Sequence, residues 1–474
     1  MANDDPNPAQ LSSGVAVLQP ALLRSISLLG GTDTMREAGQ TFLPKHAEET
    51  PENYSDRLHS NVLHNMYEIT LNTLTGRPFS EPVILSDDTP EEIKALENDI
   101  DMCGNSLSVV ARDLFREGLS KLYGYLLVEF PRKFKEDENG NLIPRTRADD
   151  EREGLRPYWK MYKTEDILAV YFDIVEGQKV YTHVRVDDSF IDRQGFEEVF
   201  VKQIRVLEPG LVQLWRVKKK GGKEEWFKHD EFETDLDKIP LVEFRTGSAD
   251  KPPLDDLAHL NIRHWQSNSD QINILTVARF PMLAASGMTE KVQNEMKIGP
   301  RQFLSMREPN GKFYYVEHNG SAIGEGWNDL EYLERTMASY GAEFLKRRSG
   351  TTTATERALD SAEATSELLD YVMRFESVLQ TALAFTAEFY GLDFGGNVRI
   401  NKDISMSAES ARQMDALTVA RDRGDISHER YIDELMRLGV LSTDFDRKRN
   451  KQELERKPDP DVDPQKPNQG GSNE

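Results

Sequence analysis

Apolar residues recur at helical spacing, every third or fourth position, in the first third of the chain. Leu58, Val62, Met66, Ile69 and Leu74 predict a helix over Tyr54 to Leu74 that stops at Gly76. Thr89-Pro90-Glu91-Glu92 combines a cap, a proline at the first helical position and a returning glutamate. It predicts a helix carrying Ile93, Leu96 and Ile100, and Asn105 or Ser106 caps another that runs to about Tyr123. The short apolar run Tyr125 to Phe130 predicts a strand stopped by Pro131, and the charged stretch Arg132 to Arg156 reads as an exposed loop. The period then changes to two. Tyr158 to Tyr162, Ile167 to Ile174, Val180 to Val186, Val199 to Leu207, Leu211 to Val217 and Glu225 to Lys228 are predicted strands, with Glu208-Pro209-Gly210 and Lys220-Gly221-Gly222-Lys223 as turns of an antiparallel meander.

Pro252-Pro253 marks the return to helix. Leu254 to Phe280 predicts one helix of about 40 Å whose apolar positions, Leu257, Trp265, Ile272 and Leu275, are interrupted by many polar ones. So long and hydrophilic a helix calls for neighbours packed on it or for solvent along one side. Met282 to Gly326 is a small mixed element with a strand at Lys312 to Val316. Trp327 to Lys346 is helical, with Gly326 just outside it. The break Arg347-Arg348-Ser349-Gly350-Thr351-Thr352-Thr353 follows. Thr353 and Glu356 then form a capping box for a helix over Thr355 to Tyr390, about 54 Å long, which Gly391 ends. Asn397 to Lys402 suits a strand; Ser407 to Arg423 and Ser427 to Leu438 are short helices. The ends differ from the middle: Met1 to Glu52 reads as an arm that orders only against a partner, and the chain from Asp446 onward reads as disordered. The class is α+β.

Composition narrows function by exclusion. The 474 residues carry 59 basic and 82 acidic side chains, a formal charge of −23 that disfavours gripping nucleic acid by its phosphates but not letting it slide past. The single cysteine, Cys103, excludes an internal disulfide and fits a reducing, cytoplasmic setting. No apolar run is long enough for a membrane helix. No phosphate loop, nucleophile elbow or paired-histidine zinc motif is present, so no catalytic residue, metal or cofactor is expected. His259 and His264, five apart, do not share a helix face and read as polar surface or interface residues. Asp255-Asp256 reads as the negative first turn of a helix. Lys218, Lys219, Lys220 and Lys223 read as a solvated hairpin tip because Glu224 and Glu225 follow. The last two helices resemble a helix-turn-helix in outline, but Glu429, Asp433 and Glu434 make the second a poor surface for the major groove.

Several groups of residues together resemble the portal proteins of tailed bacteriophages. More narrowly, they resemble a portal-like family once catalogued as a domain of unknown function. They are Met35-Arg36 with Phe42-Leu43-Pro44, the run Thr73-Leu74-Thr75-Gly76-Arg77-Pro78-Phe79, and Pro252-Pro253-Leu254 through Leu257-Ala258. Leu260-Asn261-Ile262, His264 with Ser267-Asn268-Ser269-Asp270, and Arg279-Phe280-Pro281 followed by Gly287 complete the set, which spans Leu29 to Leu441. The resemblance implies a homo-oligomeric ring, typically of about twelve subunits, at the capsid vertex of a virion, assembled in the host cytoplasm. Double-stranded DNA passes through it, and the terminase large subunit, a major capsid or scaffold protein and a head-completion adaptor dock on it.

By segment, it implies an arm (1–52), a wing (53–250), a first stem helix (251–281), a clip (282–326), a second stem helix (327–346), a tunnel loop (347–354), a long wing helix (355–392), a crown (393–445) and a tail (446–474). Asn261, Gln266, Asn268, Asp270 and Gln271 would line the channel. Lys346, Arg347, Arg348, Ser349, Gly350, Thr351, Thr352 and Thr353 would narrow it; Lys297, Arg301, Lys312 and Tyr314 would meet partners. Two alternatives stand beside this one: another head or connector protein without a DNA channel, and a hydrolase using an acidic cluster.

Overall fold

The structure, a computed structural model, describes residues 7–136, 142–220, 223–247, 250–279, 282–286, 312–316, 321–343, 367–402, 417–421 and 423–437. Met1–Lys402 and Asp403–Glu474 are separate units. The protein is mixed α+β, with helices around several small antiparallel sheets.

Within the segment read as an arm, the described residues form α1 (Ser13–Leu29) and α2 (Gly31–Ala38), and Leu22, Leu28, Met35 and Leu43 are buried within this chain. Ser12 caps α1 by accepting from the Val15 amide, and Arg24 makes a two-pronged ion pair with Asp255, closest approach 2.7 Å. Averaged over the segment, the Pro, Asp and Gly content hides this apolar stripe.

The helix expected over Tyr54 to Leu74 is two: α3 (Pro51–Ser60) and α4 (Met66–Gly76). Two asparagines divide them. Asn61 donates its side-chain amide to the Trp265 carbonyl, and Asn65 accepts from the Glu68 amide while donating to the Leu28 carbonyl. Asparagine offers the backbone such non-helical partners, which is why it favours caps over helix interiors.

After β1 (Ile84–Leu85), the Thr89-Pro90 signal opens a single turn, α5 (Glu91–Lys94), and α6 spans Leu107–Lys121 with Ser106 at its cap position. The strand β2 (Tyr123–Glu129) is followed not by an open loop but by a hairpin, β3 (Phe134–Glu136) with β4 (Leu142–Pro144), and by α7 (Arg147–Glu153). A Thr146–Asp149 capping box starts α7, a signal legible in Thr-x-x-Asp but hidden by the surrounding charge.

The strands β5 (Tyr158–Tyr162), β6 (Ile167–Val175), β7 (Gln178–Asp187), β8 (Phe190–Gln194), β9 (Glu197–Val201), β10 (Gln203–Glu208), β11 (Leu211–Lys220), β12 (Lys223–Glu233) and β13 (Leu241–Arg245) complete the β region. A five-stranded sheet runs β12-β11-β10-β7-β6 and a three-stranded one β13-β2-β5, all pairs antiparallel. The single strand expected over Val199 to Leu207 breaks at Lys202: its first half pairs with β8 in a hairpin outside the main sheet, its second joins β7 and β11. One core serves both sheets, with Tyr125, Leu127 and Leu241 meeting Val184, Val186 and Leu207. Burying each such side chain stabilises the fold by about 1.5–3 kcal/mol before entropy is counted.

Three long helices and three short strands remain among the described residues of this unit. α8 (Asp255–Arg279) leads into β14 (Met282–Ser286), which pairs with β15 (Lys312–Val316), and α9 (Ser321–Glu343) follows. α10 (Glu367–Tyr390) buries Leu368, Val372, Phe375, Leu379 and Leu383 against β13 and β2, and Trp159 donates its indole N–H to Thr386 at 3.0 Å. The helix ends where Gly391 takes φ 67°. β16 (Val398–Arg399) closes the unit by pairing with β1. The start of the helix expected over Thr355 to Tyr390, with its capping box, lies outside the described residues.

In the second unit, α11 (His428–Arg437) begins at Ser427, whose hydroxyl accepts from the Arg430 amide, and Arg421 lies over the Tyr431 ring at 4.8 Å.

Candidate functional site

The polar residues of α8 are its most informative feature, and the five expected to line a channel can each be traced to a partner. Asn261 is fully buried; its amide donates to the His64 carbonyl and its oxygen accepts from the Tyr67 amide at 2.9 Å. Gln266 donates to the Phe42 carbonyl, and Asn268 to the Asn61 side chain. Gln271 is buried and donates to the Ile323 carbonyl on α9. Asp270 is half exposed, 3.1 Å from His46 and 3.6 Å from Arg57.

All five residues expected to line a channel therefore contact this chain's own backbone or side chains, and Asn261 and Gln271 are buried within the subunit. The physical reason is that a polar helix can be surrounded by loops and helix starts, whose backbone groups need partners, as well as by water. Losing such a partner while the other group stays buried costs about 1–3 kcal/mol.

α8 and α9 pair along their length. Asp329 takes Arg263 at 3.2 Å and the Ser267 hydroxyl at 2.9 Å, and Glu334 lies 3.3 Å from His264. His264 is buried, and burial holds its imidazole below the ordinary value against the pull of Glu334. His259 is exposed. α9 begins at Ser321, earlier than Trp327, and runs through Gly326 because this glycine packs on α8: a Cβ there would stand 2.0 Å from Gln271 Oε1. The two helices are thus joined through the strand pair β14–β15, on which Lys312 and Tyr314 are exposed. Lys297, Arg301 and the whole run Lys346 to Thr353 lie outside the described residues.

Sequence reasoning missed the group that fixes the α3–α8 junction. Arg57 is buried and makes two hydrogen bonds to Glu49, at 2.8 and 2.9 Å, and one to the Pro44 carbonyl. The available signal was a lone arginine beside Leu58 on an apolar stripe. The guanidinium holds the Glu49 carboxyl at about 2, down from 4.5. A depressed carboxylate contributes stability above its unfolded value and loses it as pH falls through the folded one. Arg57→Gln is expected to cost about 3 kcal/mol at pH 7. In urea titrations the gap to wild type should be widest above pH 4.5 and close toward pH 2; a gap independent of pH would break the link to Glu49.

Among the described residues no group of three or more His, Cys, Asp or Glu is placed to hold a metal ion, and no helix is long and apolar enough to cross a membrane. Residues 253–390, the span from α8 to the end of α10, match the model of a family described as a domain of unknown function (DUF4055). No curated protein matches the chain. Among solved structures, a chain from the neck of an empty GTA particle computed with C6 symmetry is 12% identical, covering 79% of this chain and 90% of that one at a TM-score of 0.40. A chain from the virion of a native gene transfer agent (GTA) particle is 12% identical over 85% and 98%, TM-score 0.40. One from the neck of a native GTA particle computed with C12 symmetry is 11% identical over 79% and 89%, TM-score 0.39. TM-scores of this size do not establish a shared fold, and the functional reading rests on the chain's own elements.

Proposed function

We propose that the chain is a structural subunit of a phage-type particle, the portal, which forms a ring at one capsid vertex for packaging, holding and ejecting double-stranded DNA. The observation that carries this reading is the unit spanning α8 to α10. Two long helices are fastened side by side by Asp329 and Glu334, joined through a small strand pair, and followed by a long helix docked on the α+β body. That order suits two stem helices flanking a clip and a long wing helix. The match of residues 253–390 to one family supports treating the unit as a whole.

In this reading the β sheets and their helices form the wing, and β14–β15 with Lys312 and Tyr314 belongs to the clip that meets the terminase large subunit and then a head-completion adaptor. Residues 347–354 narrow the channel. The net charge of −23 suits a conduit: phosphates passing within about one Debye length, roughly 8 Å at physiological salt, meet mild repulsion and few sticking points.

The expected result is that purified protein, viewed end-on by electron microscopy, is a ring with a central hole and a mass many times that of the 54.1 kDa chain. A strict monomer by light scattering at every salt concentration would sink the proposal.

A further inference from the structure

We propose that the β8–β9 hairpin of one subunit seats in the groove between α10 and β7/β13 of the next, with Phe196 as its anchor. This rests on the ring reading and names the surfaces that would close the ring. A cyclic ring is built from heterologous contacts, so each subunit must carry two different surfaces that fit each other.

The hairpin supplies one. β8 and β9 pair only with each other, and a lone two-stranded hairpin is marginal in water. Ile191 and Phe200 stand directly opposite in register, 63% and 64% exposed, and Phe196 at the turn is completely exposed. Three large apolar side chains on one small hairpin are a surface that a partner covers.

The groove supplies the other. It holds about 500 Å³, and Ile239, Leu241 and Val242 lie among its walls with Val378 and Phe385 of α10. Ser377, Thr381 and Ala384 put only small side chains along the exposed side of that helix, leaving room for an inserted ring. Beside the groove Phe172 is half exposed, and the Lys179 ammonium lies over the Phe172 and Tyr181 rings at 4.6 and 4.7 Å.

Charge favours this pairing. Lys179 and Lys238 line the groove, each already beside a carboxylate, Glu243 and Glu388. Around Phe196 the hairpin carries Asp192, Glu197 and Glu198 against Arg193, which stands opposite Glu198 in register, so its surplus acids can share the lysines. An inserted phenylalanine buries roughly 150–250 Å², the scale of an interface anchor.

The test uses full-length protein with Cys103→Ser, Gln194→Cys and Thr381→Cys, which keeps Phe196 in place beside the new thiol, treated with a short bis-maleimide. The expected result is a ladder of covalent multimers on a denaturing gel, absent when either new cysteine is omitted. Because Phe196 is exposed, Phe196→Ser should keep the wild-type unfolding curve yet raise the concentration at which rings form by tenfold or more. Rings that persist in Phe196→Ser at the wild-type concentration, with no ladder in the double-cysteine protein, overturn this inference and leave the ring reading standing. Wild-type protein that stays monomeric at every salt overturns both.

Discussion

Glu129→Ala is expected to lower the unfolding free energy by about 3–5 kcal/mol, read as a shift of the urea midpoint. Glu129 ends β2 in the three-stranded sheet, and Arg205 sits on β10 in the five-stranded one; their side chains meet at 2.6 Å, 7% and 10% exposed. Burial alone would push the Arg205 guanidinium down, but Glu129, aided by Tyr162 and Asp188, holds it above its ordinary value. Removing the carboxylate leaves a buried cation without its ion-pair partner. The control is Glu129→Met with Arg205→Leu, which removes both charges and should cost less than the single change. A double variant as unstable as Glu129→Ala would show that the loss comes from packing and not from the stranded charge.

Phe375→Ala should cost a similar amount, about 3–5 kcal/mol. The Phe375 ring stands 4.6 Å from Phe244, 5.2 Å from Phe115 and 6.2 Å from Phe79. Three other segments of the chain, β13, α6 and the turn after α4, therefore converge on one side chain of α10. The cluster has little slack, since a Cβ on Gly118 would come within 2.4 Å of the Phe244 ring. With so little freedom to collapse, the void left by alanine stays open, and cost grows with residual cavity. Phe375→Leu should recover more than half of the loss in the same denaturation assay; equal loss would mean that ring geometry, not volume, matters.

The parts of this fold that the sequence made legible are those governed by local rules. Gly391 stops α10 where its missing side chain allows φ 67°, and the alternating pattern from Ile167 to Glu233 yields a meander with nearly the expected strands. What stayed hidden depends on partners distant in sequence. Periodicity shows that Asn261 and Gln266 are polar but not that they bond to His64 and Phe42, 197 and 224 residues away. The same holds for Arg57, whose charge only makes sense once Glu49 folds back on it. For the candidate site, the paired helices were legible as helices, whereas the side of α8 that serves its own subunit was not.

The clasp between Arg24 and Asp255 bears on how the chain is made. These residues are 231 positions apart, and Ser25 bonds to the Ser120 carbonyl, 95 away. At synthesis rates of about 5–20 residues per second, roughly 12–46 s separate the emergence of the first side chain of the clasp from that of the second. Helix α1, with Leu18, Leu22 and Leu28 uncovered, leaves the ribosome well before the residues that complete its docking. The nascent chain thus carries an uncovered apolar helix over that interval, and chaperone occupancy should concentrate on α1 until Asp255 has cleared the exit tunnel.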